Sequence, residues 1–139
     1  MPSFVDTNIL IYAEDRAAGK KHELAKALVL DLWNTADGVL SVQVLQELYV
    51  NVTRKLKKPL SSAKARQIID EYLTWTVVEN TKSLLSAALQ LHHDAQLSFW
   101  DAMVVQAAIS SGCDRLYTED LNAGQRFGSL TLVNPFKAA

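Results

Sequence analysis

Ser3-Phe4-Val5-Asp6-Thr7-Asn8-Ile9-Leu10-Ile11-Tyr12 opens the chain with three residues fit for a buried strand, an acid, and then an apolar run at helical spacing. A strand that stops at a carboxylate and turns straight into a helix is the start of a β-α unit. Thr7 or Asn8 is placed to cap the helical turn through Ile9–Tyr12. Open α/β sheets put their ligands at the carboxyl ends of strands, which is where Asp6 falls. Alone it reads equally well as a turn or capping residue.

Downstream the alternation repeats. Leu24, Ala27, Leu28 and Leu32 recur at helical spacing, with Asp37-Gly38 as the stop, and Val39-Leu40-Ser41 suits a second strand. Leu45, Leu48, Tyr49, Val52 and Leu56 form the apolar stripe of a helix that ends toward Lys57-Lys58-Pro59. Ser61 or Ser62 can cap a helix carrying Ala65, Ile68, Ile69 and Tyr72, and Trp75–Val78 is rich in β-formers. Leu84–Leu91 is helical again, Ser98 precedes a helix over Phe99–Ile109 stopped by Gly112, and Leu116-Tyr117 and Leu130–Val133 close as strands. Short strands separated by helices predict a parallel-sheet α/β domain with helices on both faces.

The 139 residues suit one domain over 1–139, long enough to bury roughly 68–70% of the unfolded surface. An apolar content of 49% and a charged content of 21% are those of an ordinary globular chain. The formal net charge of −1 gives no global attraction for nucleic acid, so any such binding needs a local patch. Arg54, Lys55, Lys57, Lys58, Lys64 and Arg66 supply one, six of the 14 Lys and Arg residues. A charge run of this kind is ordinarily a solvated helix end. One cysteine, Cys113, excludes an internal disulfide and a paired-cysteine zinc site, and reads as a small buried residue. There is no signal-like start and no apolar run of membrane-spanning length, so a cytoplasmic protein without a membrane role is expected. Trp33, Trp75 and Trp100 read as core anchors, and His92 and His93 as surface or capping residues.

Three further acids share Asp6's odd placement. Glu47 lies off its helix's apolar stripe, on a face with Val44, Asn51 and Arg54, where a solvated glutamate is the plain reading and a cleft facing a polyanion the functional one. Asp101 shares a face with Val104, Val105 and Ala108, so it should turn toward protein, although Ser98 with Asp101 also resembles a capping box. Asp120 follows the strand at Leu116-Tyr117, and periodicity leaves Glu119 and Asp120 both open as the inward acid. Gathered carboxylates repel unless a cation neutralises them, and an all-oxygen set favours Mg²⁺ or Mn²⁺ over zinc. Such ions activate water and offset the charge of a phosphodiester, which points to metal-dependent phosphodiester hydrolysis. No glycine-rich phosphate loop and no Gly-x-Ser-x-Gly elbow competes with that reading.

The motifs Val5-Asp6-Thr7-Asn8-Ile9-Leu10, Ser41–Glu47, Ser98-Phe99-Trp100-Asp101-Ala102 and Leu116-Tyr117-Thr118-Glu119-Asp120, in this order and spacing, resemble those of PIN-domain ribonucleases, specifically VapC-type toxins of toxin–antitoxin pairs. The resemblance spans nearly the whole chain. It implies a PIN-like three-layer α/β/α domain with a short, mainly parallel central sheet, a homodimer, and Mg²⁺- or Mn²⁺-dependent cleavage of RNA. It maps the family's acidic metal site onto Asp6, Glu47, Asp101 and Asp120, the last preferred to Glu119 because it stands two residues after Thr118. Asn8, Ser98 and Thr118 match its orienting polar positions, and Asn51 and Arg54 become candidate RNA contacts. Asn122 stands where some relatives carry a further acid. The resemblance also implies inhibition by a small antitoxin protein that inserts a segment into the toxin's groove. A housekeeping nuclease of the same fold, or a non-catalytic RNA-binding or scaffold module whose acids only cap helices, are the rival readings.

Overall fold

The computed structural model describes residues 1–137. Its elements run β1 (Ser3–Val5), α1 (Thr7–Glu14), a 3-10 turn (Arg16–Ala18), α2 (Lys20–Thr35), β2 (Gly38–Ser41), α3 (Val42–Arg54), α4 (Ser62–Tyr72), β3 (Thr76–Val78), α5 (Lys82–Ala95), α6 (Phe99–Ser110), β4 (Arg115–Tyr117), β5 (Arg126–Phe127) and β6 (Leu130–Val133). The strands form one sheet in the order β3-β2-β1-β4-β6-β5. All neighbours are parallel except the antiparallel β5–β6 pair.

Strand order and crossover handedness together fix the layers. The chain steps outward from β1 to β2 and on to β3, then returns past β1 to β4. Parallel crossovers are right-handed in nearly all proteins, so the helices of the two outward steps (α1 to α4) cover one face and those of the return step (α5, α6) the other. The packing agrees: α1 lies against α2 and α3, α3 against α4, and α5 against α6. This is the three-layer α/β/α domain expected. It also makes the β1–β4 seam the point where the chain reverses direction, and the carboxyl ends of the strands there open a crevice.

Side chains on both faces of so short a sheet must be apolar. Phe4, Val5, Leu40 and Leu116 are fully buried, and each contributes about 1.5–3 kcal/mol relative to exposure. They meet Ile9 and Leu10 of α1, Val44 and Leu48 of α3, and Val105 and Ala108 of α6.

Several expectations need correction. Helix α1 starts at Thr7 and is capped by Asp6, the capping role also weighed for that acid, and not by Thr7 or Asn8, because Asp6 itself keeps the extended backbone of the strand. Helix α2 ends at Thr35 with Ala36 in the left-handed conformation, before Asp37-Gly38. Gly38 instead opens β2, where a Cβ would come within 2.2 Å of the Trp75 ring. Tyr49, placed in the stripe of α3, is 37% exposed, and Trp100, expected in the core, is 64% exposed. Trp33 and Trp75 pack with Tyr72 in an aromatic cluster, at ring-centroid distances of 5.1–5.7 Å. The hairpin strand β5 was not expected; two residues carry no periodicity. Cys113 is buried, and His92, exposed near the end of α5, bonds the carbonyl of Leu97 just beyond the helix. Among the described residues no helix is long and apolar enough to cross a membrane.

Candidate functional site

The β1–β4 register pairs Val5 with Tyr117, so Asp6 and Thr118 leave the sheet side by side. The Asp6 amide donates to the Tyr117 carbonyl at 2.9 Å. The Thr118 hydroxyl, fully buried, donates to Asp6 Oδ2 at 2.8 Å, while Asp6 Oδ1 accepts from the Thr7 amide at 2.7 Å. The same hydroxyl oxygen accepts from the Asp120 amide at 3.3 Å. Asp120 is tied a second time, through Oδ2, which accepts from Asn8 Nδ2 at 2.9 Å. Five of the residues singled out by sequence or their neighbours, Asp6, Thr7, Asn8, Thr118 and Asp120, therefore form one hydrogen-bonded knot across the seam.

Glu47 comes from the next element over. Ser41 ends β2 and caps α3 by accepting from the Val44 amide at 3.2 Å, which starts the helix beside β1. Glu47 then stands exposed near the middle of α3, with Oε1 accepting from Gln43 Nε2 at 3.0 Å. Asn51 spends its side-chain amide on the Glu47 carbonyl at 2.8 Å, and Arg54 is exposed at the helix end. Lys55, Lys57, Lys58, Lys64 and Arg66 of the basic segment that follows are exposed, and Arg66 is paired with Asp70 at 3.1 Å. Asp101 sits half-buried in the first turn of α6, and Ser98 caps that helix by accepting from the Asp101 amide at 3.1 Å. Helix α6 packs on β2 and β4.

Asp6 carries the electrostatic signature of the group. Burial, first, lifts its carboxyl to about 6; the Thr118 hydroxyl and Thr7 amide pull the other way, and the charges of Glu47 and Asp120 push it up again. Both carboxylates thus act on Asp6. Thr7 Oγ1 and Asn8 Oδ1, flanking it, are buried without a protein partner. Among the described residues, however, no three Asp, Glu, His or Cys side chains are close enough to surround one ion. A donor set of carboxylates and neutral oxygens still suits Mg²⁺, which keeps several of its own waters and needs only one or two carboxylates directly. The exposed Glu47 and Asp120 have solvent on one side into which to turn.

Glu119, left open beside Asp120, faces elsewhere: Oε1 accepts from the Tyr12 hydroxyl at 2.7 Å and Oε2 pairs with the Lys21 ammonium. Burial draws its carboxyl up, but the Lys21 and Tyr12 bonds and the Lys21 charge outweigh that and hold it low. Lys21 and Tyr12 carried no signal in the sequence, since their partner lies 98 and 107 residues away.

Comparison with known proteins identifies the family and the fold. The PIN domain profile matches residues 3–126. Ribonuclease VapC24 of Mycobacterium tuberculosis is 28% identical over 142 aligned positions, covering 94% of each chain. The crystal structure of VapC20 from the same organism, described as a sarcin–ricin loop cleaving toxin, superposes with a TM-score of 0.64 at 25% identity, over 85% of this chain and 89% of that one. The fold also matches a chain of a toxin–antitoxin complex from Klebsiella pneumoniae, with a TM-score of 0.71 at 20% identity over 98% and 99% of the two chains. The chain belongs to the PIN-domain family and is a distant homologue of the VapC ribonuclease toxins.

Proposed function

We propose that this protein is a Mg²⁺-dependent endoribonuclease, with Mn²⁺ an acceptable substitute, that hydrolyses RNA phosphodiester bonds as the toxin of a toxin–antitoxin pair. The observation that carries the reading is Asp6: a desolvated carboxyl, lifted to about 6, at the strand-reversal seam with the charges of Glu47 and Asp120 bearing on it. A fold has little reason to gather such charges unless a cation offsets them. Family membership and the ribonuclease relative supply the substrate class.

Asp6, Glu47, Asp101 and Asp120 would hold the cation, directly or through water. When bound, it supplies charge neutralisation at the phosphate and a lower pKa for water. The chain's own residues do the rest. Thr118 keeps Asp6 aimed and favours its ionised form, Asn8 fixes Asp120, and Ser98 fixes the first turn that carries Asp101. Arg54, exposed two helical turns beyond Glu47, and Asn51 lie where the RNA backbone would pass, with phosphate contacts setting position rather than sequence. A small antitoxin and a second copy of the chain are the proposed protein partners; a toxin–antitoxin complex among the structural neighbours supports the first.

The test is cleavage of total RNA by the purified protein with Mg²⁺ and with excess chelator, together with mapping of new 5′ ends after brief expression. Chelator-sensitive cuts are expected. Full cleavage in chelator, or no Mg²⁺ binding by calorimetry, would sink the proposal, the latter in favour of a non-catalytic module. Growth arrest relieved by a neighbouring small gene separates a toxin from a housekeeping nuclease.

Thr118→Val gives a finer check. It removes the bond that lowers the Asp6 carboxyl while keeping shape, so the acid side of the pH–rate profile should move to higher pH. Activity at pH 7 should fall by roughly twofold to tenfold, because losing a charge-assisted bond of about 1.5–3 kcal/mol moves the titration up by about one to two pH units. An unmoved profile would mean that Asp6 does not titrate in the reaction.

A further inference from the structure

Just outside the candidate site, four separate segments meet at Lys21. Its ammonium pairs with Glu119 Oε2 and lies over two rings, 5.1 Å from the centroid of Tyr12 and 5.6 Å from that of Phe136. The two rings meet edge-on at 5.2 Å, and the Tyr12 hydroxyl donates to Glu119 Oε1 at 2.7 Å. Helix α1, the start of α2, the segment after β6 and the loop after β4 are thereby joined. A lone surface ion pair is a weak tie. Here both oxygens of Glu119 are engaged, and its cation is held by two aromatic faces as well.

The next residue is Asp120, and its outward neighbour decides which way it can face. With Glu119 drawn toward α2, Asp120 turns back to Asn8 Nδ2 at 2.9 Å, and its amide to Thr118 Oγ1 at 3.3 Å. Tyr12 and Asn8 both project from α1, so the helix that receives Glu119 also receives Asp120. We propose that Lys21, Tyr12 and Glu119 are positioning residues, a clamp that fixes the loop after β4 so that Asp120 is held against Asn8 at the edge of the metal site. The inference rests on the nuclease reading for its consequence and on the hydrogen-bond geometry alone for its existence.

Two variants spare the acids themselves. Lys21→Met keeps the stem over the rings and removes the charge; Tyr12→Phe keeps the ring and removes the donor. In the metal-free protein, the side-chain amide resonances of Asn8 report its bond to Asp120 directly. Both variants should shift those resonances. They should also raise the Mg²⁺ concentration for half-maximal RNA cleavage by roughly threefold to tenfold, below the tenfold to hundredfold typical of groups bonded directly to metal ligands. The rate at saturating Mg²⁺ should recover toward wild type, and Lys21→Arg should behave as wild type in both readouts.

A merely structural tie gives a different result: a lower melting temperature with the Asn8 resonances and Mg²⁺ requirement unchanged. That outcome, in both variants, overturns the clamp. If the wild-type protein cleaves no RNA at all, the nuclease reading fails, and the Asn8 resonances still decide the clamp.

Discussion

Asparagine in place of Asp6 should make the metal-free protein more stable at pH 8 while removing RNA cleavage. The carboxyl titrates near 3.8 when free and about 6 in the fold, a gap of about two units. The sign follows from proton binding. Between these values the folded state holds the proton more tightly than the unfolded chain, so stability falls as pH rises. The penalty is absent below about 3.8, grows across the interval, and is fully present above about 6. Its size is on the order of 3 kcal/mol. Asparagine never ionises and avoids it. The amide can accept from Thr7 through oxygen and donate to Thr118, whose hydroxyl proton rotates away, so the cap and the seam survive.

Wild type and Asp6→Asn should therefore melt together near pH 4 and separate by several degrees at pH 8, with the variant higher. Saturating Mg²⁺ should reverse the order, because binding to the folded state stabilises only the protein that holds the ion. Cleavage should fall on the order of a thousandfold, as expected when a charge serving the transition state is lost. Thermal melts at the two pH values, with and without Mg²⁺, decide it. A variant less stable than wild type at pH 8 would remove the electrostatic account, and undiminished cleavage would remove Asp6 from the site.

The parts of the fold that follow from local spacing were legible in the sequence. Phe4, Leu40 and Leu116 announce buried strands with helices between them, and Leu132 a last strand reached from Leu116 through a loop and the hairpin strand β5. Right-handed crossovers then limit the topology. What local spacing does not encode is which partner a side chain meets across the fold. Trp100 looks like a core residue by type, yet lies one position from Asp101 on the outer side of α6 and is exposed. Glu119 and Asp120 are adjacent acids after the same strand, and only Lys21 and Tyr12, about a hundred residues back, separate their roles. Asp6, Asp101 and Asp120 stand out in the sequence because each lies at an element end beside an apolar segment, and Glu47 because it falls off the apolar stripe in the middle of its helix. Their relative distances are not legible there, and neither is the burial that lifts the Asp6 carboxyl.

Asp101→Asn should also abolish cleavage, on the order of a thousandfold, but with the opposite effect on stability. Asp101 lies in the first turn of α6, where a negative charge interacts favourably with the helix N-terminus by about 0.3–1 kcal/mol. Its amide, not its carboxylate, bonds Ser98, so the cap survives the substitution. The melting temperature should drop by no more than a few degrees. Ser98→Ala is the matched control. It removes the cap at a cost of about 1 kcal/mol yet leaves the acid, and should retain far more activity than Asp101→Asn. If Asp101 served only the helix, the ranking would invert: Ser98→Ala would be the more damaging change and Asp101→Asn nearly silent in cleavage. Two inactive variants whose stabilities move in opposite directions would tie each acid to its own surroundings, Asp6 desolvated among like charges and Asp101 at the positive end of a helix. It is the shared loss of cleavage, not the direction of the stability change, that separates a common metal site from independent capping residues, since asparagine at Asp6 keeps the cap and neutralising a capping acid would act on stability alone.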